Sequence, residues 1–577
     1  MLPSSVAERL DRLAPDQREA ATAPPGPVLC VAPAGSGKTT TLVARIAWLV
    51  ATGADPATIT AVTFNKRAAD EMAARVDAAL DPLGLAAGSV RVKTFHALGR
   101  EILTDGGESV EPLLDREAVM REMWPDIDRG AVRRLDDAFS RLKLEIGVTA
   151  REVATDPEPG PIARAFLAYE SALDDAGGLD FDDLVARALR LLAARPTLLR
   201  RWRAMCEHLL VDETQDVDRS QLQLALLLAG PKNQVFLVGD DDQTIYGWRL
   251  ADVRRVLALA DALPGLRRID LTVNYRCPRA VVERAVRLVS HNEERFDKII
   301  GACPGAAGHL ILAPDGSDET VRLRRVMAGW PDDGGTRAVL ARTNAELLPA
   351  AAVALDLRMP FRAPRLRFLS EDRRVDAVIE AAAAMTDPTP ADRAAPGASS
   401  DQLLPRLAAL AHADPTCLTI PAAPGPSASL LPEGADHDLE ESLPFETGEL
   451  LAAVVAWAAP YRTFAELRAA LAHHRDLIAE LRRDDALLTL ATAHSTKGLE
   501  FDHVAVIGLD VGRFPSGRSL RDAPEPARAL EEERRLAYVA WTRARRTLTL
   551  VYDPAAPSQF LLEAFSPQEL GLEADEP

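Results

Sequence analysis

Apolar positions along this chain follow two periods. Short continuous runs at Val28–Val31, Ile59–Phe64, Val90–Val92, Leu209–Val211 and Val235–Val238 predict buried strands. Between them, Leu42, Val43, Ile46, Leu49 and Val50 fall on helical spacing, as do Ala69, Met72 and Val76. Strand and helix in alternation predict an α/β fold with parallel sheets. Leu271–Arg276 reads as a strand leading out of this core. A second α/β set is expected from strand candidates at His309–Leu312, Arg337–Ala341, Leu487–Ala491, His503–Leu509 and Thr547–Tyr552. Residues 101–190 read as mostly helical and 386–447 as Ala/Pro/Ser-rich linker; 448–484 turns helical again. There is no fixed-period repeat.

The first strand runs into Ala32-Pro33-Ala34-Gly35-Ser36-Gly37-Lys38-Thr39, then a helix. Strand, glycine-rich loop, Lys-Thr and helix make a phosphate-binding loop. Its glycines let backbone N–H groups face phosphate oxygens, and the helix adds its positive end. Lys38 is expected to reach the β- and γ-phosphates, and the Thr39 hydroxyl to ligate Mg²⁺. The pattern usually opens with Gly; Ala32 stands there and is small enough to fit. Gln17, upstream, has an amide that can read adenine, or is an exposed helix side chain.

A phosphate loop needs an acidic strand end beside it. Leu209–Val211 leads into Asp212-Glu213-Thr214-Gln215-Asp216. Asp212 is expected to hold Mg²⁺, and Glu213 to orient or deprotonate the attacking water. The wide gap between Lys38 and Asp212 makes 101–190 an inserted domain. Val235–Val238 ends in Gly239-Asp240-Asp241-Asp242-Gln243, which places Gln243 to sense the γ-phosphate, with Tyr246, Trp248 and Arg249 just beyond. Asp180, Asp182 and Asp183 form either a metal cluster or a helix N-terminal cap.

Charge narrows the partners. The net charge is −19, from 86 acidic and 67 basic side chains. A nucleic-acid site must then be a local groove in an acidic body. The five cysteines form no CxxC pair, which argues against zinc and iron–sulfur sites and fits a reducing cytoplasm. The N-terminal stretch lacks a signal-peptide core, and no apolar run is long enough to span a membrane.

The order of these motifs resembles the UvrD/Rep family of superfamily 1 DNA helicases, over roughly residues 10–372 and 486–562. Beside the phosphate loop and Asp-Glu box, the resemblance rests on Thr63-Phe64-Asn65-Lys66, Thr94-Phe95-His96, Val238–Tyr246 and Asn274-Tyr275-Arg276. Asn292, Arg295 and Lys298, then Thr492–Phe501 and Glu531–Ala544 (EEERRLAYVAWTRA), complete it. It implies two RecA-like domains with ATP between them and DNA across both, moving 3′→5′ on single-stranded DNA. Tyr275 would then stack on adenine and Glu500 touch the ribose. Arg276 and Arg543 would reach the γ-phosphate from the second core. Phe64, Tyr246 and Trp248 would stack on bases, and Asn65, Thr94, Phe95, His96 and His494 would contact DNA. Taken alone, Trp248 and Phe64 read more often as core residues, and His96 and His494 as satisfied surface or core histidines.

The expected domains are 1–100 with 191–275, the insertion 101–190, 276–372 with 485–562, the insertion 373–484, and a tail 563–577. Expected cofactors are ATP and Mg²⁺. Expected partners are single-stranded and 3′-tailed duplex DNA, with repair or recombination proteins as unidentified candidates and no membrane. A nucleotide-dependent DNA clamp without processive unwinding is the alternative. Thr40 departs from the family, which commonly has Arg there, and Cys277 replaces the usual Ser. The second insertion is short and Pro/Ala-rich. No nuclease-like carboxylate cluster follows residue 553.

Overall fold

The computed structural model describes residues 2–384, 403–412 and 447–572. Strands β1 (Val28–Val31), β2 (Ile59–Thr63), β3 (Arg91–Thr94), β4 (His208–Val211), β5 (Val235–Gly239) and β6 (Arg267–Asp270) form one sheet. Their order is β3-β2-β4-β5-β1-β6, and every pair is parallel. The near-continuous apolar runs follow from this, because a parallel sheet is covered on both faces. On one face Val28, Cys30, Ala61, Leu210, Phe236 and Val238 pack under helices α1 (Lys38–Ala51) and α2 (Lys66–Leu80). On the other, Leu29, Val31, Val62, Val211 and Leu237 pack under α3 (Phe95–Asp105), α4 (Phe181–Ala194) and α5 (Arg219–Ala229). At Gly99 of α3 an added Cβ would lie 2.3 Å from the Leu184 carbonyl, so the two helices meet backbone to backbone.

Residues 101–190 are helical, with a satellite core of Met120, Val132, Phe139, Phe166, Tyr169 and Leu173. Asp180 and Asp183 form a reciprocal cap at the start of α4. Asp180 Oδ2 also accepts from Arg116, Lys143 and the Tyr169 hydroxyl at 2.8–2.9 Å. These cations hold Asp180 below the usual carboxylate range although burial opposes them. The acidic cluster is a cap and a charge clamp. Among the described residues no group of three or more His, Cys, Asp or Glu is arranged to hold a metal.

One strand lies elsewhere than expected. Leu271–Arg276 holds only β7 (Val273–Asn274), which pairs with β8 (Gly301–Ala302); the sheet strand is β6, just before it. β6 reads Arg-Arg-Ile-Asp and buries only Ile269. As an edge strand it needs no apolar run.

A second six-stranded sheet has the order β11-β12-β10-β13-β14-β9. Its strands are β9 (His309–Pro314), β10 (Arg337–Ala341), β11 (Phe361–Arg362), β12 (Leu488–Thr492), β13 (Phe501–Val506) and β14 (Ala544–Tyr552). The β11–β12, β12–β10 and β10–β13 pairs are parallel. Helices Arg374–Ala384, Leu403–His412, Thr447–Ala458 and Phe464–Leu481 share a core around Val378, Leu407, Val454 and Leu467. Leu403–His412 lies inside the stretch expected to be linker: its leucines recur at helical spacing, which the Ala/Pro composition hid. The remainder of 386–446 is outside the described residues.

Chain contacts divide the protein into two compact units. One is Met1–Ile311, Leu509–Leu548 and Ala556–Pro577; the other is Leu312–Gly508 and Thr549–Ala555. Residues 276–311 and 509–548 thus belong with the first sheet. There α6 (Arg279–Val289) packs on α7 (Pro526–Trp541). No helix among the described residues is long and apolar enough to cross a membrane.

Candidate nucleotide and nucleic-acid site

Ligands of parallel sheets bind at the C-terminal strand ends. There β1 continues into the phosphate loop, with Ala32 N–H donating to the Gly239 carbonyl at 2.8 Å. Gly35 and Gly37 have φ of 68° and 85°, where a side chain is strained. A Cβ on Gly35 would also lie 2.8 Å from Asn274 Oδ1, and one on Gly37 2.6 Å from Gln17 Nε2. The Gln17 amide donates to the Ser36 carbonyl at 2.8 Å and accepts from Ala14 N–H at 3.1 Å, so it frames the loop. Pro33 closes the loop by accepting from Ser36 N–H. Lys38 and Thr39 open α1, and Thr40 is exposed. The buried Ser36 hydroxyl has no protein partner. Together with the glycine backbone it suits phosphate oxygens.

Lys38 Nζ lies 3.2 Å from Glu213 Oε2. Burial pulls the Lys38 ammonium down, but Glu213, Asp240 and Asp212 outweigh it and raise it. Glu213 stands at φ 50°, a left-handed backbone for a non-glycine residue at the end of β4. Such strain persists where the surroundings impose it. Here Gln215 Nε2 holds Glu213 Oε2 at 2.5 Å. Burial, then Glu213, pushes Asp212 up to about 7. Thr39 and Asp212 offer two oxygen donors, a set that fits Mg²⁺, which takes few protein ligands beside phosphate and water.

After β5, Asp240 Oδ2 accepts from Ala34 N–H at 3.0 Å and from the Gln243 amide at 2.6 Å. Gln243 therefore reaches the phosphate loop through one carboxylate. Lys298 is buried against Asp240 and Asp242 at 2.9 Å each, and against Asp241. Arg295 adds two bonds to Asp242, at 2.8 and 3.0 Å. A buried acid cluster is tolerable only when paired this way.

The loop's other wall is Asn274–Cys277. Tyr275 N–H donates to the Gly35 carbonyl at 2.9 Å, while the Tyr275 ring is 47% exposed. Asn274 Oδ1 accepts from the backbone N–H of Arg276 and of Cys277, both at 2.8 Å. Arg276 Nη1 donates to the Thr542 carbonyl at 3.4 Å, and Cys277 Sγ lies 3.4 Å from the same oxygen. Arg543 is buried and donates to the Val539 carbonyl and the Thr542 hydroxyl. Burial and nearby Arg276 pull its guanidinium below the usual arginine range. Both guanidiniums thus bond to Thr542, Arg276 at its carbonyl and Arg543 at its hydroxyl. Both belong to the same compact unit as Lys38.

The neighbouring strand ends carry aromatics. The Phe64 and Tyr246 rings stack at 5.2 Å, Trp248 meets Tyr246 edge-on at 6.0 Å, and the Arg249 guanidinium covers Trp248 at 4.9 Å. Trp248 is 38% exposed. Asn65 and Thr94 cap α2 and α3, accepting from Ala68 and Ala97 N–H. His96 stacks on Phe181 at 3.9 Å. Phe95 points inward and is buried in the core. His494 and Glu500 lie in the second unit. Burial, then Arg342, pulls His494 down to about 3. Glu500 is exposed just before β13.

The family model described as the UvrD/REP helicase N-terminal domain matches residues 13–264, and the UvrD-like helicase C-terminal domain matches 461–554. DNA helicase II of Escherichia coli (strain K12) is 31% identical over 95% of this chain and 85% of its own length. The chain belongs to the UvrD-like helicase family. The ATP-dependent DNA helicase UvrD1 of Mycobacterium bovis is 29% identical over 95% of this chain and 83% of its own. ATP-dependent DNA helicase PcrA of Leuconostoc citreum is 28% identical over 92% and 81%. UvrD-like domains are RecA-like, which agrees with the parallel sheets here. Sequence reasoning quoted two residues of the site within motifs but gave neither a role. Asn274 organises the Arg276 wall, and the side-chain acceptor beside Tyr-Arg was the available cue. Tyr538, buried by the phosphate loop near Ala34, was concealed in the apolar spacing of α7.

Proposed function

We propose that this protein is an ATP-driven motor that moves 3′→5′ along single-stranded DNA and separates strands, in DNA repair or replication. The observation that carries the reading is the Lys38–Glu213 contact at the phosphate loop, with the Asn274–Arg276 segment packed on Gly35 and aromatics at the adjacent strand ends. A simple binder has no need of a hydrolytic set. Lys38 and the loop backbone bind the phosphates, and Thr39 and Asp212 would hold Mg²⁺. Bound there, the metal would supply charge neutralisation of the phosphates. Glu213 orients the attacking water, and Arg276 and Arg543 stabilise charge developing on the γ-phosphate. Tyr275, exposed beside the loop, stacks on adenine. Trp248 and its neighbours accept bases without sequence preference, because every base has a π-face.

The test is ATP hydrolysis with and without single-stranded DNA, followed by strand displacement on 3′- and 5′-tailed duplexes. The motor reading expects DNA-stimulated hydrolysis and displacement from the 3′ tail. Stimulated hydrolysis without displacement from either tail supports the clamp instead. Displacement from the 5′ tail alone overturns the polarity.

A further inference from the structure

α7 ends beside Arg543 and also reaches the aromatic turn. Glu532 Oε1 accepts the backbone N–H of Gly247 at 2.8 Å, between Tyr246 and Trp248. The fit is close: a Cβ on Gly247 would lie 1.9 Å from that oxygen. Gly247 has no left-handed φ, and the atoms a Cβ would meet all belong to the movable Glu532 carboxylate, so a side chain there would displace that carboxylate. Burial first raises the Glu532 carboxyl, and the Gly247 N–H, Arg535 and Arg528 pull the other way. A second strut lies one turn earlier, where Arg528 Nη2 meets Asp252 Oδ1 at 2.6 Å, beyond the same turn.

The other faces of α7 are fixed to the chain that holds the γ-sensing segment. Glu531 accepts the backbone N–H groups of Glu293 and Glu294, and Arg534 donates to Asn292 Oδ1. Arg535 donates to the Glu294 carbonyl at 2.6 Å. Arg295 and Lys298, next in sequence, clamp Asp240–Asp242. From Glu532 the helix runs roughly 14 Å to its end at Trp541, at 1.5 Å per residue. It is a rigid element with phosphate chemistry at one end and base-stacking side chains at the other.

We propose that Glu532 is a positioning residue: through its bond to Gly247, α7 transmits the state of the phosphates at Arg543 to the Tyr246–Trp248 turn. This deepens the reading above and rests on it. Movement of Arg543 toward bound phosphate shifts α7, and Glu532 carries the shift to the turn that holds Trp248. Nucleotide binding thereby changes the grip on DNA, and by linkage DNA changes the grip on nucleotide.

The experiment measures Kd for fluorescent oligothymidylate with and without a non-hydrolysable ATP analogue, in the parent, Glu532→Ala, Glu532→Gln and Gly247→Ala. In the parent the analogue changes Kd by on the order of 10-fold, the range of coupled sites. Glu532→Ala brings that ratio to about twofold or less, with nucleotide affinity in the absence of DNA unchanged. Glu532→Gln keeps an acceptor oxygen and restores most of the ratio. Gly247→Ala displaces the carboxylate from the other side and loses the ratio; combined with Glu532→Ala it loses nothing further. A parental ratio in folded Glu532→Ala or Gly247→Ala overturns the proposal. A parent whose DNA affinity ignores nucleotide overturns the motor reading and the proposal with it.

Discussion

Glu213 Oε2 and Lys38 Nζ stand 3.2 Å apart, joining the Asp-Glu box to the phosphate loop across 175 residues of sequence. Both side chains are mostly buried, Lys38 at 13% and Glu213 at 23% exposure. The pair keeps each charge compensated until phosphate competes for the lysine. The strained backbone of Glu213 holds its carboxylate at the strand end where a water can be oriented.

Lys38→Ala is expected to lower hydrolysis on the order of 10³-fold, as loss of a charged group aimed at the reacting phosphate does. Lys38 sits at the first position of α1 and outside the apolar cores, so the fold survives. Circular dichroism and a steady-state ATPase assay check this together. DNA-stimulated hydrolysis at the parental rate in a folded variant rejects the phosphate-loop role.

Arg543→Ala is expected to act on kcat more than on KM for ATP, by about 10³, because its charge serves the transition state. A raised KM with unchanged kcat makes Arg543 a binding residue instead.

Trp248→Ala is expected to weaken single-stranded DNA binding by roughly 1–3 kcal/mol, with little dependence on base sequence. The readout is the DNA concentration giving half-maximal ATPase. Loss of thermal stability alone, with that concentration unmoved, assigns Trp248 to the core.

Asp180→Ala removes a helix cap and leaves Lys143 and Arg116 without their shared carboxylate in the protein interior. Lys143 keeps Glu170 and Asp183, and Arg116 keeps Asp136 and Asp182, so the loss is expected below the ~3–5 kcal/mol of a fully uncompensated buried pair. Asp180→Asn keeps the cap and is expected to lose less. Urea unfolding compares the two, and equal losses would show that the cap contributes nothing.

Asp218 caps α5, and burial pushes its carboxyl from 3.8 up to about 7. The folded state then keeps a proton that the unfolded state releases. Stability from this group is complete below pH 3.8, declines as pH rises, and is gone above about 7. Asp218→Asn caps equally well and cannot ionise. Relative to the parent, its urea midpoint should be higher at pH 8 than at pH 4.5. The same difference at both pH values rejects the shift.

The sequence by itself determined the local elements and their chemistry. Apolar runs marked the buried strands β1, β2, β4 and β5, because a strand covered on both faces must be apolar throughout. Gly35, Gly37 and Lys38 were recognisable because a phosphate loop needs those residue types next to one another in the chain, and Asp212 because it opens an Asp-Glu pair at the end of an apolar run. The edge strand β6 escaped, since Arg267 and Arg268 are exposed and carry no apolar period. Only the tertiary structure decided what distant segments share. It gave Gln17 to the loop's frame, turned Phe95 into the core, and set Arg543 beside Arg276 in the unit of the phosphate loop. It also joined Glu532 to Gly247. Such pairings depend on how helices dock on the sheet, and docking depends on side-chain shape and paired charge across hundreds of residues, which no local period encodes.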